Sequence, residues 1–245
     1  MKNGPSPDTY RRHVRSRGLI GFSVRVAQTD LYIQAEKNLT SEALELITIG
    51  RNRIEQHAAS DPEFLTSLKP RPDSAAASSP VREMLQSGWA ANVGPMAAVA
   101  GAMAEFVGRG LLPLSPGGAV VENGGDIFLA TKSDVTVGLF AGESPLSMRL
   151  GIIVPPEKTP LGICTSSGTV GHSLSLGRAD AATVVALTSA LADAAATALG
   201  NRIRNADDIE PSLNWALSIP GVFGAVAIVG ESIGFQGDLA LAPIS

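Results

Sequence analysis

The chain has 245 residues and a formal net charge of −4, and 44% of its residues are hydrophobic. This composition predicts a folded protein with a sizeable core and excludes intrinsic disorder. The mildly acidic balance offers no broad basic surface, so no nucleic-acid partner is expected. The single cysteine excludes an intramolecular disulfide framework and a Cys-rich zinc site. The three histidines leave little material for a His-based metal cluster.

The N-terminal segment, residues 1–18, is basic, and no apolar stretch follows it. It carries neither the apolar region of a secretory signal nor a lipobox cysteine. Polar residues interrupt the most apolar stretches, residues 89–104 and 179–200, so neither is expected to span a membrane. These features predict a cytoplasmic protein with a solvated N-terminal arm and no membrane partner.

The first half of the chain predicts a hairpin followed by helices. Apolar and polar residues alternate over residues 21–36, around a polar Gln-Thr-Asp, which indicates two antiparallel strands. Thr40 or Ser41 can cap a helix that begins near Glu42. Residues 70–80 are rich in Pro, Ser and Ala and predict a mobile loop. Gly94-Pro95 opens a further helix, with proline at its first position.

The second half predicts mainly strands, with one helix. Ser189 can cap that helix, which extends to about Asn201. The remaining pattern predicts strands over residues 118–130 (interrupted by Gly-Gly), 135–141, 148–155 and 180–187, a loop rich in Gly, Ser and Thr over 162–177, and a hairpin over 221–242. Short turns between neighbouring strands imply antiparallel pairing. We therefore expect one α+β domain over residues 1–245, not a doubly wound fold, since no G-x-G-x-x-G joins a strand to a helix.

Asp193 and Thr197 are one helical turn apart and would share a helix face. A carboxylate beside a hydroxyl suits a hard cation such as Mg²⁺ or Ca²⁺. The alternative is a solvated polar face. The neighbouring residues are Ala and Gly rather than long charged side chains, which predicts that something packs closely there.

Two further stretches have functional and plain structural interpretations. Residues 164–173 offer hydroxyls and flexible backbone N–H groups, with His172 as a candidate general base or as a merely hydrogen-bonded turn histidine. No Lys follows Gly171, so this is not a Walker A loop. Residues 121–127 contain Asn-Gly-Gly, which predicts either a plain hairpin turn or a place where a ligand approaches the backbone. Gly101, inside the helix that follows Pro95, suits an anion at the helix start or close helix packing.

Taken in order, these stretches resemble the ApbE-type FAD:protein FMN transferases, and more closely a short, lipobox-free ApbE-like family. The likeness to the short family covers most of the chain, including VGPMAAVAGAMAE, VVENGGDIFL, CTSSGTVGHSLSLGRADA and LADAAATALGN. Likeness to the transferases is confined to four blocks after residue 90. The resemblance implies an α+β ApbE-like fold related to the T-fold, with pseudo-duplicated antiparallel sheets and helices packed on one face.

The resemblance also implies a site. Asp193, Thr197 and a backbone oxygen near Val99 would bind Mg²⁺, and His172 would act in catalysis. FAD, as ligand or substrate, would contact the cofactor-binding residues Gly101, Gly124, Gly125, Asp126, Thr165, Ser166, Ser167 and Gly168. The partners would then be a small-molecule nucleotide and an acceptor protein that takes FMN; the small helix residues would also suit a homo-oligomer.

The chain departs from the transferases at three points. Their Lys-Gly corresponds to Ala100-Gly101, their helix Asp is Glu105, and the Asp that follows their catalytic His is missing after His172. Three hypotheses therefore stand: a Mg²⁺-dependent enzyme performing FMN transfer or FAD pyrophosphate cleavage, a non-catalytic flavin-binding protein, and an assembly protein with a vestigial pocket.

Overall fold

The computed structural model describes residues 14–16, 18–74, 76–169 and 176–244. In this part of the chain, short 3₁₀ segments accompany five α-helices and twelve β-strands. The helices are α1 (Thr40–Ser60), α2 (Val81–Ala91), α3 (Val99–Leu111), α4 (Ser189–Arg202) and α5 (Ile209–Leu217). The strands are β1 (Val14–Arg15), β2 (Ile20–Val26), β3 (Thr29–Ala35), β4 (Gly118–Asn123), β5 (Asp126–Thr131), β6 (Val135–Gly138), β7 (Leu150–Val154), β8 (Leu161–Ser166), β9 (Ala181–Ala186), β10 (Val222–Val229), β11 (Ser232–Gly237) and β12 (Ala240–Pro243).

The strands form two antiparallel sheets. The larger sheet has eight strands in the order β11-β10-β9-β8-β5-β4-β3-β2, and the smaller has four in the order β1-β6-β7-β12. The centre of the larger sheet is the β5–β8 pair, in which Asp126 lies opposite Cys164. The predicted α+β class with antiparallel pairing is confirmed.

The strands of the larger sheet are buried on both faces. Val121 and Phe128 belong to the core that contains the helices. Val120, Ile127 and Leu129 belong to a second core, which also contains residues of the smaller sheet. Because successive strand residues point to opposite faces, one face of the larger sheet carries the helices and the other packs on the smaller sheet.

Helices α3 and α4 pack unusually close. Gly101 lies so near α4 that a Cβ atom on it would stand 2.2 Å from the carbonyl oxygen of Ser189. Almost every residue of α4 is buried, and most of them are Ala. The small residues that the sequence singled out therefore serve close packing, and the solvated-face interpretation of Asp193 is wrong.

Several local predictions differ from the structure. Helix α1 has Leu39 at its N-cap with no side-chain cap, so neither Thr40 nor Ser41 caps it. Helix α4 is capped by Thr188, whose hydroxyl accepts the Leu191 N–H, because the Ser189 hydroxyl bonds to the carbonyl of Ile127 instead.

Three segments also differ in type or extent. The first part of the predicted loop over residues 162–177 is strand β8. The residues after Gly94 first form a 3₁₀ turn, Pro95–Ala98, before α3 begins. The final segment, predicted as one hairpin, contains the hairpin β10–β11 and a further strand, β12. Strand β12 pairs with β7 in the smaller sheet.

By length and composition, the described residues contain one helical stretch, Pro95–Leu114, apolar enough to cross a membrane. Half of its most apolar window is buried inside the fold, as is usual for a core helix.

We expect Gly101→Ala to lower the free energy of unfolding by about 1–3 kcal/mol, because the added methyl would overpack against α4 backbone. The matched control is Gly200→Ala in α4, where a Cβ would meet its nearest atom at an ordinary 3.5 Å. That change should be neutral or stabilising by about 0.5–1 kcal/mol, as expected for replacing a helical glycine. Urea denaturation measures both values. Wild-type stability of Gly101→Ala would refute the close-packing account.

Candidate functional site

A cavity of about 460 Å³ opens where the smaller sheet, the β4–β5 turn and the facing side of α4 meet. Its volume is in the range typical of small-molecule sites. Predicted site residues that line it are Gly124, Gly125, Asp126, Thr165, Ser166, Ser167, Asp193 and Thr197. Residues far apart in the sequence are thus brought to one place.

The β4–β5 turn forms one wall of the cavity. Gly124 and Gly125 have φ values of 67° and 104°, a conformation that favours glycine at both turn positions. The Gly125 N–H donates to Glu122 Oε1 at 2.8 Å. Asn123 Nδ2 donates to the carbonyl of Ala100 at 3.1 Å, which ties the turn to α3. The glycines are therefore required by the turn, and the same turn lines the cavity.

Asp193 reaches the cavity from the first half of α4. Its Oδ2 accepts the Gly101 N–H at 2.9 Å, and the residue is only 9% exposed. Burial raises the pKa of Asp193 to about 7, although hydrogen bonds from the backbone of Gly101 and Ala100 oppose the rise. Thr197 lies one turn further along the helix and also lines the cavity.

Asp126, at the start of β5, is a second buried carboxyl group in the cavity. Burial raises its pKa well above the ordinary value, and the negative charges of Asp193 and Glu122 raise it further. Hydrogen bonds from Cys164 and Thr165 oppose this rise. Burial, with the nearby charges of Asp126 and Asp193, also raises the pKa of the Cys164 thiol, so Cys164 is not poised as a thiolate.

Hydroxyl groups at the end of β8 line the cavity beside the β4–β5 turn. Thr165 and Ser166 end β8, Ser167 follows them, and the Thr165 Oγ1 lies 2.9 Å from the Thr183 Oγ1 on β9. Thr183 lines the cavity but was not singled out in the sequence. It is the one polar residue in the otherwise apolar strand Ala181–Ala186, a feature that could have indicated it.

Three of the predicted residues that the structure describes do not line this cavity. Gly101 contributes its N–H to Asp193 and its small size to helix packing. Gly168 donates its N–H to Ala179, and a Cβ on it would stand 2.4 Å from the carbonyl oxygen of Gly177. Val99 begins α3, and its neighbour Ala100 lines the cavity instead. His172 lies outside the described residues.

In the part of the chain that the structure describes, the carboxyl-bearing side chains of the cavity lining have no basic partner in the lining. Among the described residues, the lining includes Glu122, Asp126 and Asp193 but no Lys, Arg or His. Over the same part of the chain, no group of three or more His, Cys, Asp or Glu side chains is arranged to hold a metal ion.

Comparisons with known proteins identify the family of the chain. The model of the family described as AbpE bacteria matches residues 11–215. The chain belongs to this family. A UPF0280 protein of Methanocella arvoryzae is 40% identical over 215 residues, covering 88% of this chain and 87% of its own. Another, from Methanococcus maripaludis, is 44% identical over 221 residues, covering 88% and 90%.

Solved structures share the fold. The flavin transferase ApbE of Vibrio cholerae, in a mutant form, superposes with a TM-score of 0.55 at 12% identity, covering 89% of this chain and 97% of that one. The flavinyl transferase ApbE of Pseudomonas stutzeri gives 0.52 at 13% identity, covering 89% and 94%. At these identities the likeness establishes the ApbE-like fold alone.

The raised pKa of Asp193 has a consequence for stability. Folding raises this pKa from 3.8 to about 7, so the folded protein binds more protons than the unfolded chain between these values. The contribution of Asp193 to stability therefore falls as pH rises through that window. Asp193→Asn cannot ionise and is free of this loss.

We therefore compare the melting temperatures of metal-free Asp193→Asn and wild type at pH 5 and at pH 8. The difference, variant minus wild type, should be about 3 °C or more larger at pH 8, which corresponds to about 1 kcal/mol in the free energy of unfolding for a chain of this size. Differential scanning calorimetry measures it. The exposed Asp134 supplies the control Asp134→Asn, for which the difference should stay constant. An equal response of both variants would contradict the burial of an ionisable Asp193.

Proposed function

We propose that this protein is a Mg²⁺-dependent flavin-nucleotide enzyme of the ApbE type, which transfers FMN from FAD or cleaves the FAD pyrophosphate. The observation that carries the proposal is that Asp193, Thr197 and the tandem glycines meet at one cavity lined by carboxylates and hydroxyls. Of the residues that the structure describes, none with a cationic side chain lines this cavity. A pyrophosphate would be repelled by these carboxylates unless a divalent ion accompanied it. Flavin transferases of known structure share the fold.

The donor set fits the ion. Asp193 and Thr197 supply a carboxylate and a hydroxyl from one face of α4, and Mg²⁺ prefers oxygen ligands. When bound, Mg²⁺ would neutralise charge on the pyrophosphate. The hydroxyls of Thr165, Ser166 and Ser167 can donate hydrogen bonds to phosphate or carbonyl oxygens, and the turn at Gly124-Gly125 lets a ligand approach the backbone.

The chemistry needs a base for the attacking hydroxyl. In transfer, an acceptor hydroxyl oxygen forms a bond to the FMN phosphorus, the bond from that phosphorus to the bridging oxygen breaks, and AMP leaves. In cleavage, water takes the place of the acceptor. His172 is the proposed group that takes the proton. Two hydrogen bonds join Ser167 and Thr169, which precede the segment that carries His172. The Thr169 N–H donates to the Ser167 hydroxyl, and the two hydroxyls bond to each other.

A non-catalytic flavin-binding protein is the second candidate. Ala100 stands where the transferases have a lysine, the carboxylate that follows their catalytic histidine is missing, and no cationic side chain of the described residues lines the cavity. Such a protein would keep the cation and the nucleotide but leave the pyrophosphate intact.

Titration calorimetry with FAD tests the binding shared by both candidates. We expect binding only with Mg²⁺, and we expect Asp193→Ala to abolish it, because the principal anionic ligand is lost. Thr197→Val should weaken it about tenfold, by removing one oxygen donor at constant shape. Asp134→Ala, on the exposed surface, should bind as wild type does. Equal FAD binding by wild type and Asp193→Ala would contradict the proposed site.

Product analysis separates the enzyme from the binding protein. With Mg²⁺ and FAD, an enzyme releases AMP; free FMN alongside it indicates cleavage, and flavin fluorescence on a protein band indicates transfer. His172→Ala should reduce AMP formation at least about a hundredfold, the usual contribution of a general base, while FAD binding persists. Tight, Mg²⁺-dependent FAD binding with no AMP from wild type would decide for the binding protein.

A further inference from the structure

The first turn of α4 is held at Ser189 by three hydrogen bonds. The Ser189 N–H donates to Glu105 Oε2 at 2.6 Å, and its hydroxyl donates to the Ile127 carbonyl at 3.2 Å. Its own carbonyl accepts the Cys164 thiol at 3.3 Å. Asp193 lies one turn beyond Ser189 on the same helix. The three bonds therefore fix the start of the helical turn that carries Asp193.

Glu105 is the charged member of this group. It lies on α3, is 6% exposed, and does not line the cavity. Its other oxygen, Oε1, accepts a hydrogen bond from Arg109 Nε at 2.7 Å and lies 2.7 Å from Arg109 Nη2 in an ion pair. A buried carboxylate is costly unless it is paired, so Glu105 is retained in this place by the α4 amide on one side and Arg109 on the other.

Asp193 and Glu105 form a reciprocal pair. Asp193 on α4 accepts an N–H from the first turn of α3, and Glu105 on α3 accepts an N–H from the first turn of α4. Free N–H groups at a helix start carry partial positive charge and favour a carboxylate. Each helix thus carries a carboxylate that binds an amide in the first turn of the other.

We propose that Glu105 is a positioning residue for the cation site: by holding Ser189 it sets where Asp193 and Thr197 stand in the cavity. This inference rests on the proposed function for the cation itself. Glu105 acts through α4 and not by contact with a ligand. The hydrogen bond to the Ser189 N–H carries the effect, whereas the ion pair with Arg109 serves stability.

Mn²⁺ alone is the probe, titrated by electron paramagnetic resonance into wild type, Glu105→Gln, Glu105→Leu and Arg109→Gln. Glu105→Leu removes the acceptor and should weaken Mn²⁺ binding about tenfold, as outer partners of metal ligands commonly do. Glu105→Gln keeps an acceptor oxygen of the same reach and should recover most of that loss. If Glu105→Leu does not fold, Glu105→Ala, which also lacks the acceptor, takes its place in the comparison.

Arg109→Gln is the matched control, because it breaks the same ion pair but leaves the Glu105–Ser189 bond. It should lower the melting temperature while leaving the Mn²⁺ affinity within about twofold of wild type. Amide hydrogen exchange in the metal-free protein provides the second readout: residues 189–193 should exchange about tenfold faster in Glu105→Leu than in Arg109→Gln.

The outcomes separate the two proposals. Wild-type Mn²⁺ affinity in Glu105→Leu, or an equal loss in Arg109→Gln, overturns the positioning role while the cation site stands. No Mn²⁺ binding by wild type overturns the cation site and with it this role in metal binding. In that case, exchange at residues 189–193 still reports whether Glu105 holds the start of α4.

Discussion

Two buried carboxylates that cross between α3 and α4 are the constraint on which this site depends. Asp193 accepts an amide at the start of α3, and Glu105 accepts one at the start of α4. Gly101 permits the close approach of the two helices, because a Cβ atom on it would lie 2.2 Å from the Ser189 carbonyl oxygen. The packing that stabilises the helix pair is therefore the same packing that aims Asp193 and Thr197 into the cavity.

The site combines burial with uncompensated charge. Asp126 and Asp193 are both buried, which raises the pKa of each, and the negative charge of Asp193 raises the pKa of Asp126 further. Such an arrangement stores an electrostatic cost that a proton or a divalent cation relieves. Along the described residues, the cavity lining supplies no Lys, Arg or His to take that place.

The sequence predicted the parts of the site that follow from local rules. Helical spacing placed Asp193 and Thr197 on one face, and Asn-Gly-Gly marked the turn before Asp126. Contacts between distant segments were out of reach: Ser189 is not the cap of α4, because the Ile127 carbonyl takes its hydroxyl. Likewise Gly101 and Gly168 are needed for close approach of backbone, a role that looks the same in sequence as contact with a ligand.

A crystal soaked with Mn²⁺ and FAD, measured at the manganese absorption edge, tests the central claim most directly. The account predicts one anomalous peak within coordination distance of the Asp193 carboxylate and the Thr197 hydroxyl, about 2.0–2.3 Å away, with nucleotide phosphate on its open side. Nucleotide bound in the cavity without a metal peak beside Asp193, or manganese bound elsewhere only, would contradict it.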